Sequence, residues 1–149
     1  MLLIGLWLAV LPCCLLAQQN KLSIGPVQAI SVKAGGTVEQ NLKLVVIPGF
    51  HVNNDKPKDE FLIPLKLTWT DGPLQAKSIT YPQPEEIKVG SQMLTVFTGT
   101  FLVKTEFQAV AGAKPGSGVM NGKLRYQACN NDMCFRPATL DVRVPVNVE

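Results

Sequence analysis

The apolar residues of this chain recur almost everywhere with a period of two. That is the spacing of side chains on one face of a strand. Val38, Gln40, Leu42, Leu44 and Val46 alternate with mostly polar neighbours. Ile63, Leu65, Leu67 and Trp69 share one face, while Lys66 and Thr68 take the other. Residues 93–107 read as one long alternation that sets Phe97, Phe101, Val103 and Phe107 on one side. Leu124, Tyr126 and Ala128 form another apolar face. The last run is the clearest: Leu140, Val142, Val144, Val146 and Val148 face one way, and Asp141, Arg143, Pro145 and Asn147 the other. Strands that are apolar on one face only must bury that face against another layer.

Gly and Pro punctuate these runs at Gly35-Gly36, Pro48-Gly49, Asp71-Gly72-Pro73, residues 82–84 and residues 114–118. Short alternating strands at this spacing predict an all-β fold, a two-sheet β-sandwich of immunoglobulin-like type. Pro145 has no N–H for a ladder, which predicts that the last strand lies at an edge or carries a bulge. The chain has 149 residues, 46% hydrophobic and 17% charged, which suits one globular domain. No internal repeat or interdomain linker interrupts it.

Residues 1–17 are uncharged and mostly apolar, end on Ala17, and are followed by Gln18, Gln19 and Asn20. The run is shorter than the ~20 residues that span a bilayer. It has the apolar core and cleavage site of a secretory signal, without the usual cation ahead of them. The expected organisation is a signal peptide over 1–17, cleaved near Ala17, and one domain over 18–149. The expected location is periplasmic or secreted. Cys13 and Cys14 leave with the signal on this reading. Lipid attachment there is the lesser alternative, because Pro12 stands where a small residue is wanted.

The net charge of +3 is scattered, with no basic stripe interleaved with aromatics, which argues against a nucleic-acid partner. No Ser/His/Asp arrangement or phosphate-binding glycine motif is evident. Glu85 and Glu86 are adjacent, so on an extended chain they point to opposite faces and do not cooperate. Trp69 reads as core. His51 reads first as a strand-end histidine with a structural hydrogen bond.

The chemistry-bearing feature is Cys129-Asn130-Asn131-Asp132-Met133-Cys134. A strand runs into Cys129, turn formers follow, and an extended segment leaves Cys134. The pair therefore flanks a hairpin turn. A disulfide there closes so short a loop that its entropic contribution is only about 2 kcal/mol, against about 4.7 for a loop of a hundred residues. A turn the hairpin already closes gains little from it, so the dithiol and the disulfide can share one fold. A hairpin tip also gives the access that exchange needs. Arg125 and Arg136 would lower a thiol pKa, and Asp132 would raise it. Three readings stay open at this point: a passive disulfide, thiol–disulfide exchange, and a soft metal site. For zinc the pair supplies two of four ligands; for copper(I), Met133 adds a thioether.

The stretch from Tyr126-Gln127-Ala128-Cys129 through Cys134 to Pro137 resembles the active hairpin of the N-terminal periplasmic domain of DsbD, a transmembrane thiol:disulfide interchange protein. Pro48-Gly49-Phe50-His51-Val52-Asn53, Phe61-Leu62-Ile63-Pro64-Leu65 and Tyr81-Pro82-Gln83-Pro84-Glu85 agree in order. The resemblance implies an immunoglobulin-like sandwich with its redox pair on a hairpin at one end. It implies a protein-disulfide reductase or interchange activity, of the kind that serves cytochrome c biogenesis, with no cofactor beyond the Cys129–Cys134 disulfide. Cys134 would form the mixed disulfide and Cys129 would resolve it. Partners would be thioredoxin-like or disulfide-isomerase proteins. Since no membrane bundle follows the domain here, the electron donor is expected to be a separate membrane protein. Phe50, His51 and Tyr126 would lie near the pair. A cap loop would fall at residues 85–92, with Glu86, Ile87 and Val89 as its candidates, though it lacks the aromatic tip of the family's best-known member. The rival expectation is a non-catalytic exported binding domain whose disulfide only holds the hairpin.

Overall fold

A computed structural model describes residues 20–149; the expected signal segment, with Cys13 and Cys14, lies outside the described residues. Those residues form twelve strands. They are β1 (Leu22–Ile24), β2 (Ile30–Val32), β3 (Thr37–Val46), β4 (His51–Asn53), β5 (Lys66–Asp71), β6 (Gln75–Thr80), β7 (Glu85–Val89), β8 (Gln92–Phe97), β9 (Thr100–Gln108), β10 (Gly116–Tyr126), β11 (Ala128–Cys129) and β12 (Ala138–Val148). Among the described residues no helix is long and apolar enough to cross a membrane.

Two four-stranded sheets, β1-β3-β9-β6 and β2-β12-β10-β5, make the sandwich. All their pairings are antiparallel except β2 with β12. The alternation read from the sequence becomes their inner faces: Leu42, Leu44 and Val46 from β3, Val103 and Phe107 from β9, Leu124 and Tyr126 from β10, and Val142, Val144, Val146 and Val148 from β12 are buried together. Trp69 of β5 bridges the layers. Its ring meets Phe107 edge-on at 4.8 Å, and its indole N–H donates to the Thr105 hydroxyl at 3.1 Å. The indole thus keeps its polar edge satisfied inside the sandwich.

A third sheet, β11-β4-β8-β7, stands at one end. Its strands continue strands of the sandwich. β3 leads into β4 through a turn at Gly49 (φ 84°), β8 leads into β9 through Gly99 (φ 57°), and β10 leads into β11 through Gln127. The run over residues 93–107 is therefore two strands in two sheets, not one. The left-handed conformation at Gly99 ends one alternation and starts another, and Phe97 and Phe101 stack at 4.8 Å across the break. The edge position expected for the last strand is corrected as well: β12 lies between β2 and β10. Pro145 is tolerated because β2 pairs only with Val146 to Val148, one residue beyond it.

Gly72 adopts φ 145°, and a Cβ there would sit 2.9 Å from the Met120 Cα. Gly99 needs its left-handed conformation but faces open space. Gly72→Ala should therefore cost roughly 2–4 kcal/mol and Gly99→Ala about 1 kcal/mol in urea unfolding. Equal costs would contradict the packing described.

Candidate functional site

β10 and β12 pair without interruption up to Tyr126↔Ala138. Beyond that rung the chain is extended for two more residues, β11, and then turns. Asn130 holds the turn: its side-chain oxygen accepts the N–H groups of Asp132 (2.9 Å) and Met133 (2.8 Å), while its own N–H donates to the Met133 carbonyl at 2.9 Å. This is the local side-chain capping that makes Asn a turn former. The returning chain donates from Phe135 N–H to the Ala128 carbonyl at 2.8 Å and bridges Cys134 to Cys129. The two cysteines are thus direct cross-strand neighbours, with Cα atoms 4.0 Å apart, and are joined by a disulfide.

The two sulfurs lie in unlike surroundings. Cys129 is 1% exposed, paired on its other side with His51 of β4. Cys134 is exposed, as is Met133 beside it. Cys134 lies in an open groove of ≈ 570 Å³ that is also lined by Lys21, Tyr126, Phe135 and Arg136. The lining includes two cations and no carboxylate. Phe50 and Phe135 pack with centroids 5.7 Å apart, and the Lys21 ammonium lies 4.7 Å from the Phe50 centroid. These contacts hold the foot of the hairpin against the start of β4.

On the face that His51 shares, the third sheet carries a buried polar layer. The Asn53 amide N–H₂ donates to the Ile63 carbonyl (2.9 Å) and to the Gln127 side-chain oxygen (3.2 Å). That oxygen also accepts the Ile63 N–H at 3.2 Å, and the Gln127 amide donates to the Phe135 carbonyl at 3.2 Å. Gln127, at the break between β10 and β11, therefore ties together β4, the loop ahead of β5 and the returning arm of the hairpin. His51 is 4% exposed and its Nε2 has no hydrogen-bond partner, as is true of the Asn53 Oδ1. Burial lowers the His51 pKa from its ordinary value near 6.5. The structural hydrogen bond expected of His51 is thus missing at that nitrogen. Burial likewise raises the Tyr126 pKa, and hydrogen bonding to the Leu22 backbone opposes it.

Of the residues singled out in the sequence, Cys129, Cys134, Phe50, His51 and Tyr126 gather at this end of the molecule. Glu86, Ile87 and Val89 do not. They lie on β7, separated from β11 by β4 and β8. At about 4.8 Å per strand that is roughly 14 Å across the sheet. The order of residues along the chain suggested proximity, but the intervening pairing keeps this hairpin at the opposite edge, where the Lys58 ammonium lies 3.6 Å from the Glu86 carboxylate. Sequence reasoning passed over Gln127, Asn53, Lys21 and Phe135 as site residues. The alternation carried no signal for Gln127, because a polar residue between buried Tyr126 and Ala128 continues the period of two. Among the described residues no group of three or more His, Cys, Asp or Glu side chains is gathered to hold a metal.

A family model described as "Thiol:disulfide interchange protein DsbD, N-terminal" matches residues 19–145. The N-terminal periplasmic domain of ScsB from Proteus mirabilis is similar in structure, with TM-score 0.57 and 16% identity over 83% of this chain. The chain spans 44% of that protein's length. A type I cohesin of ScaB from Pseudobacteroides cellulosolvens is similar too, with TM-score 0.50 and 12% identity over 86% of this chain and 92% of the cohesin. The reduced DsbD N-terminal domain of Neisseria meningitidis aligns at TM-score 0.44 and 16% identity, over 72% of this chain and 76% of that one. At these identities the first two likenesses concern the fold: an all-β, immunoglobulin-like sandwich. A search of the curated proteins found no match.

Gln127→Ala removes one of the two acceptors of the Asn53 amide and leaves the Ile63 N–H and the Phe135 carbonyl without their Gln127 partner. It should cost about 2–3 kcal/mol and speed amide exchange in the hairpin; a loss below about 0.5 kcal/mol would contradict the network. His51 supplies a pH term of known sign. The unfolded chain takes up a proton near pH 6.5 that the folded chain binds only at lower pH. The contribution is therefore fully present above that pH and is lost as pH falls below it. Urea midpoints measured from pH 7.5 to 5 should fall less steeply in His51→Gln than in the wild type.

Proposed function

We propose, from the premise that this chain belongs to the family of the N-terminal domain of the thiol:disulfide interchange protein DsbD, that it is a thiol:disulfide exchange module acting outside the cytoplasm. An incoming partner thiolate attacks the Cys134 sulfur, and a mixed disulfide forms. The electron pair of the broken S–S bond leaves on Cys129, and a second partner thiolate then attacks the partner's sulfur in the mixed disulfide and releases Cys134 as thiolate. In the other direction the Cys134 thiolate attacks a partner disulfide and releases one partner sulfur as thiolate. Cys129 then attacks Cys134, restores the internal disulfide and releases the partner's second sulfur. Two electrons move in either case, and no cofactor beyond the pair takes part.

One observation carries this reading: an exposed cysteine and a buried cysteine share one disulfide, which sits on a turn that hydrogen bonds already close. Attack in line with an S–S bond needs access to one sulfur only. The unequal exposure supports Cys134 as the sulfur that partners reach and Cys129 as the resolving one. Suitable partners are thioredoxin-like or disulfide-isomerase proteins, with a membrane-embedded redox centre as electron donor. The proposed location is the periplasm or the exterior, after removal of residues 1–17.

Trapping tests the assignment. In the exported fraction, Cys129→Ser should accumulate a mixed disulfide at Cys134 that non-reducing gels reveal. Cys134→Ser should accumulate at least roughly tenfold less, because the remaining sulfur is buried. Equal adducts from both variants would overturn the assignment of roles. No adduct from either would favour a binding domain with a passive disulfide.

A further inference from the structure

Cys134, Cys129 and His51 occupy one row across three neighbouring extended segments: Cys134 bridges Cys129, and Cys129 pairs with His51. Partners directly opposite in an antiparallel ladder project to the same face with Cβ atoms about 4.5–5.5 Å apart. The imidazole is therefore the side chain set beside the Cys129 sulfur on the side away from Cys134. It is nearly inaccessible, and its Nε2 has no partner while the disulfide is closed. A buried polar atom left unpaired is costly, and its retention calls for a role in another state.

We propose that His51 is the proton acceptor and donor for Cys129, an inference that rests on the exchange reading above. When the mixed disulfide at Cys134 is resolved, the Cys129 thiol gives its proton to the His51 Nε2. Its sulfur pair then forms the bond to Cys134, and the partner's sulfur leaves as thiolate. The resulting imidazolium returns the proton to solvent. In the opening direction the imidazole takes a proton from solvent and passes it to the sulfur leaving as Cys129, so no bare thiolate stays buried. A neutral imidazole is the form that can accept a proton, and burial keeps His51 neutral to lower pH than an exposed histidine.

Around His51, β11 contributes only Cys129, and β8, the other neighbour of β4, carries no ionisable side chain. Lys21 lies over the ring of Phe50, and Asp55, Lys56, Lys58, Asp59 and Glu60 follow β4 in the loop. None of them shifts the histidine, whose pKa is lowered by burial alone.

The test uses a glutathione mixed disulfide made from the reduced chain and oxidised glutathione. Ring closure is followed by acid quenching and mass spectrometry across pH 5–9. In the wild type the rate should level off above the His51 midpoint. In His51→Gln it should be about 10²-fold lower at pH 7 and climb roughly tenfold per pH unit. Coincident pH profiles would overturn the proposal. A chain that forms no adduct and resists reduction would overturn the exchange reading instead, so the two failures are distinct. Should the variant not fold, the wild type still answers. His51 is the only histidine, and its NMR titration midpoint should differ between the oxidised and reduced protein. The same midpoint in both states would equally overturn the coupling.

Discussion

The β10–β12 ladder is what the site stands on. Eleven consecutive rungs, from Gly116↔Val148 to Tyr126↔Ala138, hold two strands at fixed register up to the base of the cysteine turn. One face of each strand is buried in the sandwich, which fixes that register because a slip of one residue would turn Val142, Val144 and Val146 to solvent. The two ends of the turn are thus delivered to each other by the core. The Asn130 side chain and the Phe135 N–H complete the closure. The disulfide comes last, across a gap that other forces have already closed.

From that order follows the division of labour at the tip. The arm that enters the turn, β11, is held inside the third sheet by β4, so its cysteine is buried. The arm that leaves has no strand on its outer side, so its cysteine is open to the groove between Lys21 and Arg136. Gln127 makes this possible. It breaks the strand where the chain passes from one sheet to another, and its amide bonds both arms to the loop ahead of β5. The hydrogen bonds that anchor the turn do not involve the sulfurs.

Much of this was legible in the residues. Alternation showed the sandwich because burial on one face writes itself into a period of two; β3 and β12 are read almost residue for residue. The cysteine hairpin was legible from its turn formers, and Phe50, His51 and Tyr126 were placed at its end by resemblance. Three things were not legible. The strand switch at Gly99 looks like unbroken alternation, because a single left-handed glycine changes sheet without disturbing the pattern. The depth of Cys129 relative to Cys134 depends on β4, which is distant in the sequence. The separation of Ile87 and Val89 from the pair depends on sheet order, which periodicity does not encode. Pro145 misled for a related reason: a short neighbouring strand lets an interior position act locally as an edge.

The central claim is that the disulfide staples a turn the backbone already holds, and its most direct test is the reduction potential measured together with stability. Equilibration with glutathione or thioredoxin should place the Cys129–Cys134 couple above about −300 mV, in the range of exchange-active pairs. The reduced chain should keep its β-sheet circular dichroism and lose no more than about 2 kcal/mol in urea unfolding. A potential well below about −300 mV, with loss of the fold on reduction, would contradict the account and make the bond a structural one.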